Sequence, residues 1–239
     1  MSARGPAVNQ RAHPTVRPYA LALGVVPRRG IVDQLSFLGP ALAADLATAL
    51  MLDTLGALST FPVRHRLVFS DGADPFTGHV RLPATWRELP QRGLTPTERT
   101  HTAVDDLIAL GAEAMLLVTA DGPMLPLGQM FDGLMWLLPK KRLLIGGVDD
   151  GGLFALGAAD RLPFLTDADL PTGLADGGAN PAIVELVTAK AESAGFEVQR
   201  LPTSYRIDGP EALRRLKSEV AGGMFAPHCR KLFERPELA

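Results

Sequence analysis

Leu116-Leu117-Val118-Thr119-Ala120-Asp121-Gly122-Pro123 is the stretch on which the fold turns. A continuous apolar run of this length reads as a strand buried on both faces, as in a parallel sheet covered by helices. Gly122 and Pro123 stop the strand at once. The Asp121 carboxylate is therefore expected at its carboxyl end, where open α/β sheets bind ligands. A second stretch, Gly146-Gly147-Val148-Asp149-Asp150-Gly151-Gly152, repeats the design with two acids followed by two glycines.

Working outward, Tyr19 to Val26 (YALALGVV) is another buried strand, followed by a turn at Pro27-Arg28-Arg29-Gly30. Pro40 to Leu58 is Ala/Leu-rich with Leu42, Leu46, Leu50 and Leu55 at helical spacing, and Pro40 suits a first turn. His65 to Ser70 reads as a strand, with at most a short one near Trp86–Leu89. Thr97 to Leu110 is helical with Thr95 or Thr97 as N-cap, Ala114 to Thr119 a strand, Leu127 to Leu138 a helix and Arg142 to Ile145 a strand. Leu153 to Leu156 is a short strand. Residues 161–180 read as a long loop with Asp167, Asp169 and Asp176 in its turns. Pro181 to Ala194 is a helix, Phe196 to Leu201 a strand and Pro210 to Val220 a last helix. Alternating strands and helices predict a single α/β domain with a mainly parallel sheet flanked by helices. The expected limits are a disordered leader at residues 1–18, the domain at 19–221 and a C-terminal tail at 222–239.

Composition narrows the function. A net charge of −2 without a dense basic run gives no pull towards nucleic acid. The lone Cys229 excludes an internal disulfide and a cysteine-based zinc site. His13, His65, His79, His101 and His228 have no ligand spacing. The leader lacks an apolar signal core, and no uninterrupted apolar stretch reaches the roughly 18 residues of a membrane span. A cytoplasmic protein is expected. Nucleophile-elbow, Walker and dinucleotide-binding motifs are missing.

Four acids could carry chemistry. Asp121 either holds a hard cation such as Mg²⁺ or Mn²⁺, which favours carboxylate oxygens and bridges to phosphates, or caps the helix near Pro126. Asp149 and Asp150 either face a ligand, with glycines allowing close approach, or belong to a tight turn. Asp208, in Tyr205-Arg206-Ile207-Asp208-Gly209-Pro210-Glu211, is either an N-cap or a second metal ligand.

Taken in order, these segments resemble a bacterial family of GT-A-like glycosyltransferases, largely uncharacterised and related to sugar nucleotidyltransferases. The likeness runs from about Ala20 to Leu216. Its marks are Pro27 and Gly30 after the first strand, Leu38-Gly39-Pro40, Asp53-Thr54-Leu55, Gln91-Arg92-Gly93 with Thr97-Glu98-Arg99, Thr119-Ala120-Asp121-Gly122-Pro123, Asp150-Gly151-Gly152-Leu153, and Arg206 to Leu213. The resemblance implies a GT-A-like, nucleotide-diphospho-sugar transferase domain. By it, Asp121 would be the catalytic metal ligand, with Asp208 as second acidic contact to Mg²⁺ or Mn²⁺. Asp150 would position or activate a small-molecule acceptor, with Gly151 and Gly152 on the acceptor side. Pro27, Arg28, Arg29, Gly30, Glu98 and Arg99 would face the nucleotide of the donor.

Three departures stand out. Asp33-Gln34-Leu35 replaces a Lys-Thr-Arg segment that would neutralise phosphates, Leu153 replaces a Tyr, and Arg206 replaces an Asp. The leading expectation is a metal-dependent glycosyltransferase using a nucleotide-activated sugar. The alternatives are a nucleotidyltransferase acting on an NTP, or a non-catalytic member that binds a sugar or a partner. The apolar tail (Met224, Phe225, Leu232, Phe233) packs either on its own core or on a second subunit, giving a homodimer.

Overall fold

The computed structural model describes residues 19–27, 30–70, 80–166 and 182–238. Arg28, Arg29, the leader and the loop acids Asp167, Asp169 and Asp176 lie outside the described residues. Among the described residues seven strands form one sheet in the order β3-β2-β1-β4-β6-β5-β7. They are β1 (Leu21–Val26), β2 (His65–Ser70), β3 (Arg87–Pro90), β4 (Ala114–Thr119), β5 (Arg142–Gly147), β6 (Leu153–Ala158) and β7 (Glu197–Arg200). Pairing is parallel except for β6, which runs antiparallel to both β4 and β5. The expected α/β domain with a mainly parallel sheet is the observed architecture.

Alternation along the central strands builds two cores. Leu116 and Val118 point into a layer with α2 (Pro40–Leu58), α4 (Leu127–Trp136), α6 (Pro210–Ala221) and α7 (Pro227–Phe233). Met115 and Leu117 point the other way, to α3 (Pro96–Ala109) and α5 (Ile183–Ser193). Burial on both faces is what selects a continuous apolar strand over an alternating one. Among the described residues, α2 is the one helix long and apolar enough to cross a membrane. Its Leu46, Met51, Leu55 and Leu58 are instead fully enclosed in the core.

Several ends follow local chemistry. The Thr95 side chain accepts from the Glu98 N–H, and the Glu98 carboxylate accepts from the Thr95 N–H, a reciprocal cap that starts α3 at Pro96. Gly30, at φ 67°, leads into α1 (Ile31–Gln34), so Asp33-Gln34-Leu35 forms and closes a single helical turn. The segment after Gly223 carries α7, whose Cys229 and Leu232 are buried against this chain's own core while Phe225 stays exposed. Asp208 does not cap α6: Gly209 holds that position and no side chain bonds to it. Asp121 does not cap α4 either, where Pro126 precedes the first turn.

The strand order reverses between β1 and β4. From β1 the chain winds outward to β2 and β3, and then returns to β4 and the opposite half. In open α/β sheets such a reversal is where a ligand crevice forms; here it falls at the carboxyl ends of β1 and β4, where Val26 and Thr119 stand side by side.

Candidate functional site

Beyond Thr119, Ala120 carries the chain to Asp121 at this crevice. The Asp121 side chain is 2% exposed, and the Arg206 guanidinium, 1% exposed, lies against it with Nε 3.1 Å from Oδ2. Nη1 of the same guanidinium is 3.4 Å from the Asp150 carboxylate, which is about one-quarter exposed. Nη2 donates to the Leu153 carbonyl at 3.1 Å. One arginine thus joins the two acids at the ends of β4 and β5.

Backbone pairing explains why Arg206 reaches this point. Residues 201–204 run beside the end of β5: the Leu201 N–H donates to the Ile145 carbonyl (2.8 Å), the Ser204 N–H to Gly147 (3.0 Å), and the Asp149 N–H to Ser204 (3.0 Å). The Ser204 hydroxyl donates to the Met124 carbonyl at 2.9 Å. It thereby ties this segment to the loop that follows Asp121. Tyr205 is anchored next to it, with its hydroxyl on Glu219 and its ring 3.7 Å from the Arg215 guanidinium carbon. Burial, and then the Glu219 carboxylate, push the Tyr205 phenol well above its ordinary range, so it stays a neutral donor.

Gly152 completes the cradle. A Cβ there would lie 2.2 Å from Nη1 and 2.4 Å from Nη2 of Arg206, so the guanidinium fills the space a side chain would need. The Gly152 N–H donates to Asp150 Oδ1 at 3.2 Å and orients that carboxylate. Gly151, at φ 91°, supplies the turn. Gly152→Ala is expected to displace the guanidinium and cost about 1–3 kcal/mol, the usual range for overpacking. Chemical denaturation measures it, and a loss within 0.5 kcal/mol of zero (roughly the spread of neutral surface changes) would refute the cradle.

An open cavity of about 410 Å³ adjoins the triad, lined by Asp149, Asp150, Asp208, Glu211, Arg206 and Arg215. Four carboxylates face two guanidinium groups. Ionised carboxylates accept hydrogen bonds and repel phosphate. This lining therefore suits a polyhydroxylated ligand better than a polyphosphate.

The expected residues are distributed unevenly. Asp121 and Asp150 come together through Arg206, and Asp208 stands exposed on the wall of the cavity that Asp150 lines. Pro27 is buried at the end of β1, beside β4, and Gly30 is exposed at the start of α1. Glu98 is engaged in the α3 cap, and Arg99, 4% exposed, donates to the Leu94 carbonyl at 3.0 Å. Both have structural tasks at that helix start. Arg206 and Arg215 entered no expected site. The signal for Arg206 was its replacement of an acidic residue, since a reversed charge in a site needs a partner.

The donor set at Asp121 does not suit a divalent metal. Its carboxylate faces a guanidinium, and among the described residues no three His, Cys, Asp or Glu side chains group closely enough to hold a metal ion.

The class of architecture follows from superposition on solved structures: it is the nucleotide-diphospho-sugar transferase fold. No protein-family model and no curated protein matches the sequence. Solved structures do. A candidate nucleotide-diphospho-sugar transferase from Desulfovibrio desulfuricans superposes with a TM-score of 0.69 at 21% identity, covering 92% of each chain. A cytidylyltransferase from Leptospira borgpetersenii gives 0.53 at 12% identity, over 92% of this chain and 97% of that one. A 4-diphosphocytidyl-2C-methyl-D-erythritol synthase from Anaerococcus prevotii gives 0.53 at 10%, over 85% and 96%. At these identities the likeness is one of fold.

Proposed function

We propose that the protein binds a nucleotide-activated sugar and transfers its glycosyl group to a small acceptor. The observation that carries this is the Asp121–Arg206–Asp150 triad at the strand-order reversal, opening onto a cavity lined by carboxylates. The donor's nucleotide lies towards the carboxyl end of β1 at Pro27, and its sugar towards the cavity, where Asp149, Asp150 and Asp208 accept hydrogen bonds from hydroxyl groups. Transfer breaks the bond between the anomeric carbon and the phosphate oxygen, which leaves with the electron pair. The acceptor oxygen bonds to that carbon, and its proton passes to Asp150, held in place by the Gly152 N–H and Arg206. Fold alone does not fix chemistry; the arrangement of acids favours hydroxyl recognition over a triphosphate, and so glycosyl transfer over nucleotidyl transfer.

The test is a thermal-shift and calorimetric panel of UDP, GDP, CDP and dTDP and their sugars, followed by product analysis. A ligand present at 100 times its Kd stabilises by about 2.7 kcal/mol, roughly 5–10 °C for a chain of this size. Asp150→Asn is expected to keep binding and lower transfer about 100-fold or more. Pyrophosphate released from an NTP and a sugar phosphate would establish nucleotidyl transfer instead. Silence across the whole panel would refute the proposal and leave a non-catalytic binding protein.

A further inference from the structure

We infer that Arg206 is the resident cation of this site, occupying the place a divalent metal would take beside Asp121, so that ligand binding here is independent of metal. The inference rests on the nucleotide-sugar reading above only for the identity of the ligand; the cation is argued from geometry. Asp121 is almost fully buried, and a carboxylate in that position requires a compensating positive charge. The chain supplies it covalently, with Nε at 3.1 Å. The same guanidinium reaches Asp150 and the Leu153 carbonyl, so its charge is shared between two acids and a backbone oxygen.

The arrangement is built rather than incidental. Residues 201–204 are paired to the end of β5, Ser204 is bonded to the loop after Asp121, and Gly152 leaves the space that Nη1 and Nη2 fill. A metal ion entering beside Asp121 would have to displace the guanidinium or sit against a like charge. Among the described residues Asp208 does not group with Asp121 and Asp150 into a three-carboxylate cation site. Arg206 is a positioning residue: it fixes the two carboxylates. A guanidinium that never dissociates makes the site indifferent to metal supply.

The experiment exchanges the cation. Mn²⁺ is titrated into wild type, Asp121→Asn, Arg206→Asp and the double variant, followed by electron paramagnetic resonance. In parallel, calorimetry measures UDP-glucose and GDP-mannose binding in EDTA and in Mn²⁺. Wild type is expected to show no Mn²⁺ binding that depends on Asp121, and the same nucleotide-sugar affinity in EDTA and Mn²⁺. Arg206→Asp, which sets three carboxylates together, is expected to gain saturable Mn²⁺ binding that the double variant loses. A purely structural arginine would not produce that exchange.

Saturable Mn²⁺ binding to wild type that Asp121→Asn abolishes would overturn the inference, as would nucleotide-sugar binding abolished by EDTA. So would a folded Arg206→Asp protein that binds no Mn²⁺. Should Arg206→Asp fail to fold, wild type against Asp121→Asn decides. Should neither nucleotide sugar bind, the Mn²⁺ titration still decides the cation, and glycosyl transfer from these donors is what fails.

Discussion

Arg206→Met is expected to destabilise the protein by about 3–5 kcal/mol, the cost of stranding one member of a buried ion pair. Methionine fills much of the same volume, so the loss is electrostatic rather than a cavity. With Arg206 gone, Asp121 remains enclosed with its charge no longer offset from that side, and Asp150 loses its Nη1 contact. At roughly 2–4 °C per kcal/mol for a chain of this size, the melting temperature falls on the order of 10 °C.

The companion experiment separates pairing from packing. Asp121→Asn combined with Arg206→Met removes both charges, and exchanging a buried pair for neutral groups is often near neutral. The double variant should therefore recover a large part of the loss, with a coupling of about 2–3 kcal/mol, in the upper range for residues in direct contact. Additive losses in urea denaturation would mean that the two side chains do not sense each other, and the resident-cation argument would fall with them. Stability and ligand affinity are expected to separate in Arg206→Lys. A lysine keeps the charge but cannot reach Asp121, Asp150 and the Leu153 carbonyl at once with a planar fork.

The layout of the fold was legible because its elements are local. The Ala/Leu periodicity from Pro40 to Leu58 and the apolar runs His65–Ser70 and Ala114–Thr119 coincide with α2, β2 and β4 to the residue. The direction of β6 was not read, although one signal existed. Only residues 148–152 separate β5 from β6, enough for a hairpin, whereas a parallel crossover needs a dozen residues or more. Helix α7 is seven residues long, too short for periodicity to stand out. Asp121 and Asp150 were legible as candidates because a strand-end acid followed by glycine is a local pattern. Their partner was not, since Arg206 is 85 residues from Asp121 in sequence and reaches it only through the pairing of residues 201–204 with β5. Glu98 and Arg99 show the converse. The resemblance placed them at the donor; in the structure Glu98 completes the α3 cap and Arg99 donates to the Leu94 carbonyl.

Asp53→Ala is the second large effect, at about 2–4 kcal/mol, or roughly 5–15 °C. Helix α7 has no capping side chain of its own, with Ala226 at the N-cap and Pro227 in the first turn. Its first free N–H groups, those of His228 and Cys229, instead donate to the two carboxylate oxygens of Asp53 on α2, each at 2.9 Å. A carboxylate at a helix N-terminus also meets the positive end of the helix dipole. Removing it breaks two charge-assisted hydrogen bonds and enlarges the cavity of about 160 Å³ that Asp53 lines with Leu50, Pro123, Met124 and Cys229.

Cys229 reports the outcome. Its thiol is fully buried, and burial followed by the Asp53 charge pushes its pKa far above the ordinary thiol range. At pH 8 the wild-type thiol is therefore expected to react slowly with a disulfide reagent. Asp53→Ala removes the neighbouring charge and loosens the helix together, so labelling under native conditions should accelerate by at least the fold-change in the open population, about 10-fold for each 1.4 kcal/mol lost locally. Labelling that stays silent while global stability falls would place the damage in α2 rather than at the α7 contact. Because the same cavity is bounded by Gly122 and Pro123, immediately after Asp121, a loosened α7 is also expected to weaken the site from behind. Affinity for the nucleotide sugar should then fall in Asp53→Ala without any change to a residue that faces the ligand.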